Sequence, residues 1–469
     1  MLNKREALTG MAAAGMSMAA GGTAKAAAFS GARPPVAERK FTSPAIEACI
    51  ADVTRRLKDK ALAEIFANCL PNTLDTTVTV DDGDTFVITG DIDAMWLRDS
   101  SAQVWPYLHF AKTDPALQTL FRGLIARQAR CILIDPYANA FMRDSTAPTN
   151  LSWALSDLTD MKPGVAERKW EIESLCYPIR LAHGYFNATG DEKPFGSEWR
   201  AAMQLVLATF KAQQRKDSDG PYHFQRKAEN PVDTLPLDGF GAPSKRVGLI
   251  HSAFRPSDDA CTFPFLVPSN HFAVVSLRQL ADMATRLDMG TGFAIDCRAL
   301  ADEVAGALDA HGKTRLPDGT QVWAYEVDGY GNALFMDDAN TPGLLGLPYL
   351  GAVDARDPLY QATRGAVWSE ANPYFFRGKA AEGLGGPHIG KDMVWPMSLM
   401  IHALTSDKEA AIRADLDTLA ATTAGTGFMH EAFHKDDPAK FTRSWFAWAN
   451  TLFGELVLDS LDRKPGLLV

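Results

Sequence analysis

Apolar positions along this chain recur mostly at three- and four-residue steps, the period of a helix buried along one face. After Ser43-Pro44, a capping residue followed by a first-turn proline, the series Ile46, Cys49, Ile50, Val53, Leu57, Ala61, Ile65 predicts one continuous helix. The same spacing predicts helices over 100–111, 115–133, 167–189, 197–215, 270–287, 292–311, 358–367, 393–404, 407–424 and 445–462. With weaker candidates this makes roughly a dozen. Period-two alternation is confined to short runs. Residues 76–80 and 85–89 flank Asp81-Asp82-Gly83-Asp84 as a hairpin, and 321–327 with 332–335 suggest a second around Asp328-Gly329.

Between the helices lie long irregular stretches at 135–163, 216–269, 371–392 and 425–444, which hold most of the Trp, His, Arg and acidic residues that no helix face accounts for. Connections that long in a compact helical chain carry function. Paired helices with chemistry on their connecting loops predict an all-α fold, a helical toroid with a pocket at one end. An α-solenoid would show a repeat, and none is present.

The N-terminus changes this picture first. Lys4-Arg5, an apolar stretch from Ala7 to Ala20, and the small-x-small sites Ala24-Lys25-Ala26 and Ala26-Ala27-Ala28 predict an export signal over 1–28, with a mature start near Ala27 or Phe29. Lys4-Arg5 ahead of Glu6-Ala7-Leu8 resembles a twin-arginine signal with one arginine replaced, which makes a periplasmic destination the expectation. Residues 29–42, with Pro34-Pro35, read as an extended leader. No later segment is long and apolar enough to span a membrane.

The formal net charge is −10, and the signal carries a net +2 (Lys4, Arg5 and Lys25 against Glu6), so about −12 remains on the rest. That balance excludes a nucleic-acid or anionic-membrane partner. The six cysteines, Cys49, Cys69, Cys131, Cys176, Cys261 and Cys297, show no C-x-x-C spacing, so they read as small core residues rather than zinc ligands or a disulfide framework.

Packing does not explain Gly90-Asp91-Ile92-Asp93-Ala94-Met95-Trp96-Leu97-Arg98-Asp99-Ser100, with Trp105 beyond it. Burying that many unpaired charges costs several kcal/mol each. Carboxylates and a planar guanidinium beside indole faces suit a sugar, which has hydroxyls at its rim and C–H groups on its faces. The plainer reading is a surface turn leading into a helix capped by Asp99 or Ser100.

A second constellation, His251-Ser252-Ala253-Phe254-Arg255-Pro256-Ser257-Asp258-Asp259, places adjacent carboxylates beside an arginine, where surroundings can tune the two apart. The third runs from Gly383 to Pro396 and mixes permissive glycines with His388, Lys391, Asp392 and Trp395, without a phosphate-loop pattern. Met336-Asp337-Asp338-Ala339-Asn340 lacks the alternating spacing of a calcium loop. Finally, His430-Glu431-x-x-His434 matches the zinc-protease pattern, with Glu455 at the distance of a third ligand. Glycines at 425 and 427 and Pro438 leave room there for about two helical turns. That favours a metal-free acidic role for Glu431 over a zinc metallohydrolase.

Taken in order, GDIDAMWLRDSSAQVWPYL, GLIHSAFRPSDDACTFPFLVPSNHFAVVSL, FMDDANTPGLL, GPHIGKDMVWPMSLM and TGFMHEAFHKDDPAKFTRSWFAWANTLFGEL resemble glycoside hydrolase family 125, the exo-α-1,6-mannosidases. The resemblance implies an (α/α)6 toroid over 43–469 as a single catalytic domain with small hairpin insertions, and no metal or cofactor. It further implies release of non-reducing terminal α-1,6-linked mannose with inversion. Carried over by position, the general acid falls at Asp258, with Asp259 as the alternative, and the general base at Glu431. Asp93, Trp96, Arg98 and Asp99 would bind the terminal sugar together with Arg255, Asp259, His388, Trp395 and Arg443. The alternatives are the zinc metallohydrolase, a toroidal exo-glycosidase acting on glucosides, and a non-catalytic glycan-binding protein.

Overall fold

The computed structural model describes residues 31–228 and 230–469, so the expected export signal lies outside the described residues. Among them are twelve helices of eight residues or more: α1 (Pro44–Arg56), α2 (Lys60–Cys69), α3 (Leu97–Val104), α4 (Pro115–Ile134), α5 (Ile172–Thr189), α6 (Ser197–Gln213), α7 (Val267–Arg286), α8 (Thr291–His311), α9 (Pro358–Val367), α10 (Pro396–Leu404), α11 (Glu409–Ala421) and α12 (Ala447–Arg463). An inner ring forms as α3 packs on α5, α5 on α7, α10 on α12, and α12 back on α3. Outside it α4 packs on α6, α8 on α7 and α11 on α10, giving the (α/α)6 toroid. Residues 337–351 occupy the interior beside this ring without forming a helix. Tyr177 of α5 donates to the Thr341 carbonyl at 2.9 Å, Gly346 lies against Ile401 of α10, and Tyr349 donates to Glu455 of α12 at 2.9 Å.

The predicted continuous helix over Ile46 to Ile65 is two helices. Asp59 accepts from the N–H groups of Ala61 (2.9 Å) and Leu62 (3.2 Å), offering the backbone a competing partner that ends one helix and caps the next. The helix expected from residue 100 begins at Leu97, and Trp105-Pro106 turns its continuation into a 3-10 turn, because proline cannot donate into the helical ladder. The one expected from residue 167 begins at Ile172, since Val165–Glu167 pairs as a strand with Ala140–Phe141.

The first hairpin pairs Val78–Asp81 with Asp84–Val87 through Asp82 (φ 44°) and Gly83 (φ 77°), a turn whose hand matches strand twist. It lies so close to α4 that a Cβ at Gly123 would come within 2.4 Å of Thr85 Oγ1. The second expected hairpin divides. Gln321–Trp323 pairs with Lys313–Arg315, while Glu326–Val327 pairs with both Ala333–Leu334 and Phe265–Leu266. Among the described residues the expected extended leader is interrupted by a 3-10 turn, Val36–Glu38, with extended backbone at Arg39 after it. Arg33 pins it to Asp75 (2.8 Å) and Glu47 (3.0 Å). All six cysteines are free thiols, five of them buried.

Ser43 caps α1 as its sequence position suggests, accepting from the Ile46 N–H at 3.2 Å. Its hydroxyl donates to Asp114 at 2.6 Å, and Asp114 caps α4 through Ala116 (2.9 Å) and Leu117 (3.3 Å). One buried carboxylate therefore holds two helix starts. Asp114→Ala should lower unfolding stability by about 1–3 kcal/mol in a denaturant titration. Because these donors hold the Asp114 carboxyl below its ordinary value despite the opposing effect of burial, its contribution is present above the unfolded carboxylate range and fades as pH falls through the folded value.

Candidate active site

The inner helices α3, α10 and α12 open at the same end of the toroid with their starts against one cavity. Trp96 precedes α3, Trp395 precedes α10 and Phe446 precedes α12, whereas Glu171, ahead of α5, is buried behind the lining. Helix N-termini present unpaired N–H groups and a partial positive charge, which suits a site rich in carboxylates. Of the residues picked out from the sequence, Trp96, Arg98, Asp99, Asp258, His388, Trp395, Glu431 and Arg443 line this cavity together.

Arg98 is its electrostatic centre. The guanidinium is buried and lies 3.5 Å from Asp99 and 3.4 Å from Asp258, with Glu171 closer still. Asp99 therefore sits in the first turn of α3 as a site residue, not as the cap of a surface helix. Burial pushes its carboxyl up from the ordinary value and Asp258 adds to this, while Arg98 and Arg443 oppose it. Burial likewise pushes Glu173 up to about 7 against the pull of Arg98 and a 2.7 Å hydrogen bond from Ser269.

On the facing wall Glu431 accepts from Thr442 at 2.9 Å and lies 3.6 Å from Arg443 Nε. Arg443 also reaches Asp91 at 3.4 Å. Burial works against its charge, yet Glu431, Asp91, Asp99 and Asp258 together keep its proton affinity above the ordinary value. The indole nitrogens of Trp96 and Trp395, together with Asp99 Oδ2, are buried without a protein hydrogen-bond partner among the described residues. Such groups cost about 1–3 kcal/mol each unless something polar meets them, and a polyhydroxylated ligand supplies both donors and acceptors.

Three expected sugar ligands do not line the cavity. Asp93 is exposed. Arg255 points away, held by Glu326 at 2.6 Å, and Glu326 also accepts from the N–H groups of Thr262 (2.9 Å) and Phe263 (3.0 Å). A buried Arg–carboxylate pair there braces the loop that carries Asp258. Asp259 is fully buried, with one oxygen 3.3 Å from His388 Nδ1, so it orients the histidine that does face the cavity.

The zinc alternative requires His430 and His434 to share a helical face, and the chain is not helical there. Phe433–His434 pairs with Met393–Val394 and with the strand Asp437–Phe441. The His430 ring stacks on Phe441 at 4.0 Å, with its nitrogens 2.8 Å and 3.1 Å from the carbonyls of Arg443 and Thr423. His434 Nδ1 accepts from the Asp436 N–H, and Glu455 binds Tyr349. These donors do not converge.

Several members of the site escaped the sequence reading. Asn139, Lys169, Glu171 and Glu173 are buried around Arg98 and Asp258, and Asn340, Ser257 and Trp448 line the cavity. A signal existed for part of this set. Glu167-Arg168-Lys169-Trp170-Glu171-Ile172-Glu173 carries five charges in seven residues, all buried, and charge density next to apolar residues is what singled out the segment around Arg98. The apolar period over 167–189 instead reads it as part of an amphipathic helix.

A family model described as metal-independent alpha-mannosidase (GH125) matches residues 59–458. The "Meiotically up-regulated gene 157 protein" of Schizosaccharomyces pombe is 43% identical over 458 aligned positions, covering 93% of this chain and 89% of that one. A solved alpha mannosidase of Streptococcus pneumoniae, in a non-productive complex with alpha-1,6-mannobiose, superposes with a TM-score of 0.87 at 42% identity, covering 90% of this chain and 99% of the other. A rhamnosidase of Bacillus sp. GL1 (TM-score 0.51, 13% identity, 92% of this chain and 36% of that one) shares the fold alone. The glucoside and metalloprotease alternatives give way on these findings: the chain belongs to glycoside hydrolase family 125, the metal-independent α-mannosidases.

Proposed function

We propose that the protein is an inverting exo-mannosidase that removes non-reducing terminal α-1,6-linked mannose, with Asp258 as general acid and Glu431 as general base. What carries the reading is that Asp258 and Glu431 come from separate loops onto one cavity. Its buried wall offers unmatched indole N–H groups and a carboxylate oxygen, and the Streptococcus pneumoniae relative was solved with alpha-1,6-mannobiose. In this reaction Asp258 gives its proton to the glycosidic oxygen as the bond to the anomeric carbon breaks and its electrons pass to that oxygen. Glu431 takes a proton from the water that attacks the opposite face, so the sugar leaves inverted. Trp96 and Trp395 supply apolar surface and N–H donors, and Arg98 and Arg443 fix the carboxylates.

A general acid matters most when the leaving group is poor. Asp258→Asn should slow α-1,6-mannobiose hydrolysis by at least about 10²-fold yet largely spare an α-mannosyl fluoride, whereas Asp259→Asn should weaken both alike through His388. Exchange of these behaviours would move the acid to Asp259. Glu431→Gln should keep the fold by circular dichroism and lose at least about 10²-fold in kcat, and the wild type should release the β-anomer first by NMR. Full activity of Glu431→Gln or retention of configuration would refute the assignment. EDTA should leave the rate unchanged.

The N-terminal segment supports export, and we place the working enzyme outside the cytoplasm. N-terminal sequencing of protein recovered from the periplasm should begin near Ala27 or Phe29, and an uncleaved Met1 in the cytosolic fraction would refute this.

A further inference from the structure

Asp258 is held in an unusual conformation. Its backbone lies in the left-handed region at φ 66°, uncommon for a residue with a β-carbon though aspartate tolerates it, and here the surroundings hold it there. Those surroundings are explicit. Lys169, itself fully buried, donates from Nζ to the Asp258 carbonyl at 2.5 Å, and the Asp258 N–H donates to the Arg255 carbonyl at 2.8 Å. The side chain meets Arg98 Nη2 at 3.4 Å and Asn139 Nδ2 at 3.5 Å through Oδ1, the same guanidinium and the same amide that Glu171 meets.

Glu171 is fully buried ahead of α5 and does not line the cavity. It takes a close hydrogen bond from Arg98 Nη1, one from Ser174 Oγ at 2.9 Å and a longer one from Asn139 at 3.5 Å. Two carboxyl groups gathered on one guanidinium and one amide, one of them fully buried, repel each other's charge, which favours a proton on one of the two. Of the two, Asp258 alone faces the cavity.

We infer that Glu171 is a positioning residue that shares one proton with Asp258 and keeps it available for delivery through Asp258 to the leaving sugar. This rests on the reading of Asp258 as the acid. On delivery the proton passes to the glycosidic oxygen as the C–O bond breaks, leaving both carboxylates charged against Arg98 and Arg443. A solvent proton then restores the pair while Glu431 releases the one it took from water. The charged groups facing Asp258 are Arg98 and Asp99 from α3, Glu171 and Glu173 at the start of α5, Lys169 at its carbonyl, and Arg443 ahead of α12. Burial pushes Glu171 well up, with Asp258 and Glu173 adding and Arg98 opposing.

The test is the pH profile of kcat/KM on α-1,6-mannobiose, whose basic limb reports loss of the acid's proton. Glu171→Gln removes the negative charge and offers an amide donor to ionised Asp258, so the limb should move to lower pH by about one unit or more. Turnover of α-mannosyl fluoride at neutral pH should fall less than that of α-1,6-mannobiose. Glu171→Asp keeps the charge but withdraws it by one methylene, and should move the limb the same way by less; it decides the matter if Glu171→Gln does not fold. An unmoved limb in a folded variant, or an equal loss on both substrates, would overturn the inference. Asp258→Asn, run alongside, separates the cases: if it spares neither substrate, the assignment of the acid has failed instead.

Discussion

The site is organised by the cost of burying one guanidinium. Arg98 lies in the cavity wall with Glu171, Asp99 and Asp258 around it, and none of these charges could remain there alone. Satisfying it draws together α3, the start of α5 and the loop that ends at Asp258, which are far apart in the chain. Because the carboxylates outnumber the cations, the cluster also stores a proton. That excess is a structural burden and a chemical resource at once, since a glycosidase of this kind needs one carboxyl kept protonated near neutral pH.

Behind the cavity a second set of charges works in the opposite sense. The Arg255–Glu326 pair, Lys169 on the Asp258 carbonyl and Asp259 on His388 do not line the cavity, yet they hold groups that do. Adjacent residues of the Ser257-Asp258-Asp259 segment thus serve different ends. The left-handed turn at Asp258 places its carboxyl beside the cavity while Asp259 is sealed beneath it. Hydrogen-bonding the backbone on both sides of that turn gives the carboxyl one location rather than several, as catalysis by positioning requires.

The segment around Glu431 shows how little a short motif means without its backbone. The same His-Glu-x-x-His letters that bind zinc on a helix here run along an irregular turn and into the central strand of a three-stranded sheet. One imidazole is stacked on Phe441 and braced by carbonyls, and the glutamate between them is turned to the cavity beside Arg443. Helical periodicity of two ligands is the physical content of that motif, and glycines at 425 and 427, both at positive φ, remove it.

Period and composition determined the helical class, the positions of most helices to within a few residues, and the loops where the chemistry would lie, because an apolar stripe at 3.6-residue spacing can be buried in few ways. They also made the segment around Arg98 conspicuous, since unpaired charge beside tryptophan has no place in a core. Tertiary structure alone decided the rest. Whether Asp258 or Asp259 meets the cavity depends on a backbone dihedral, and whether Arg255 binds ligand or Glu326 depends on a strand pairing some seventy residues away. Charge at Glu171 and Glu173 looked like the polar face of a helix until the ring closed and buried it. Sequence records which groups exist and their local period, but the cost of burying a charge is set by what the fold brings within a few ångströms of it.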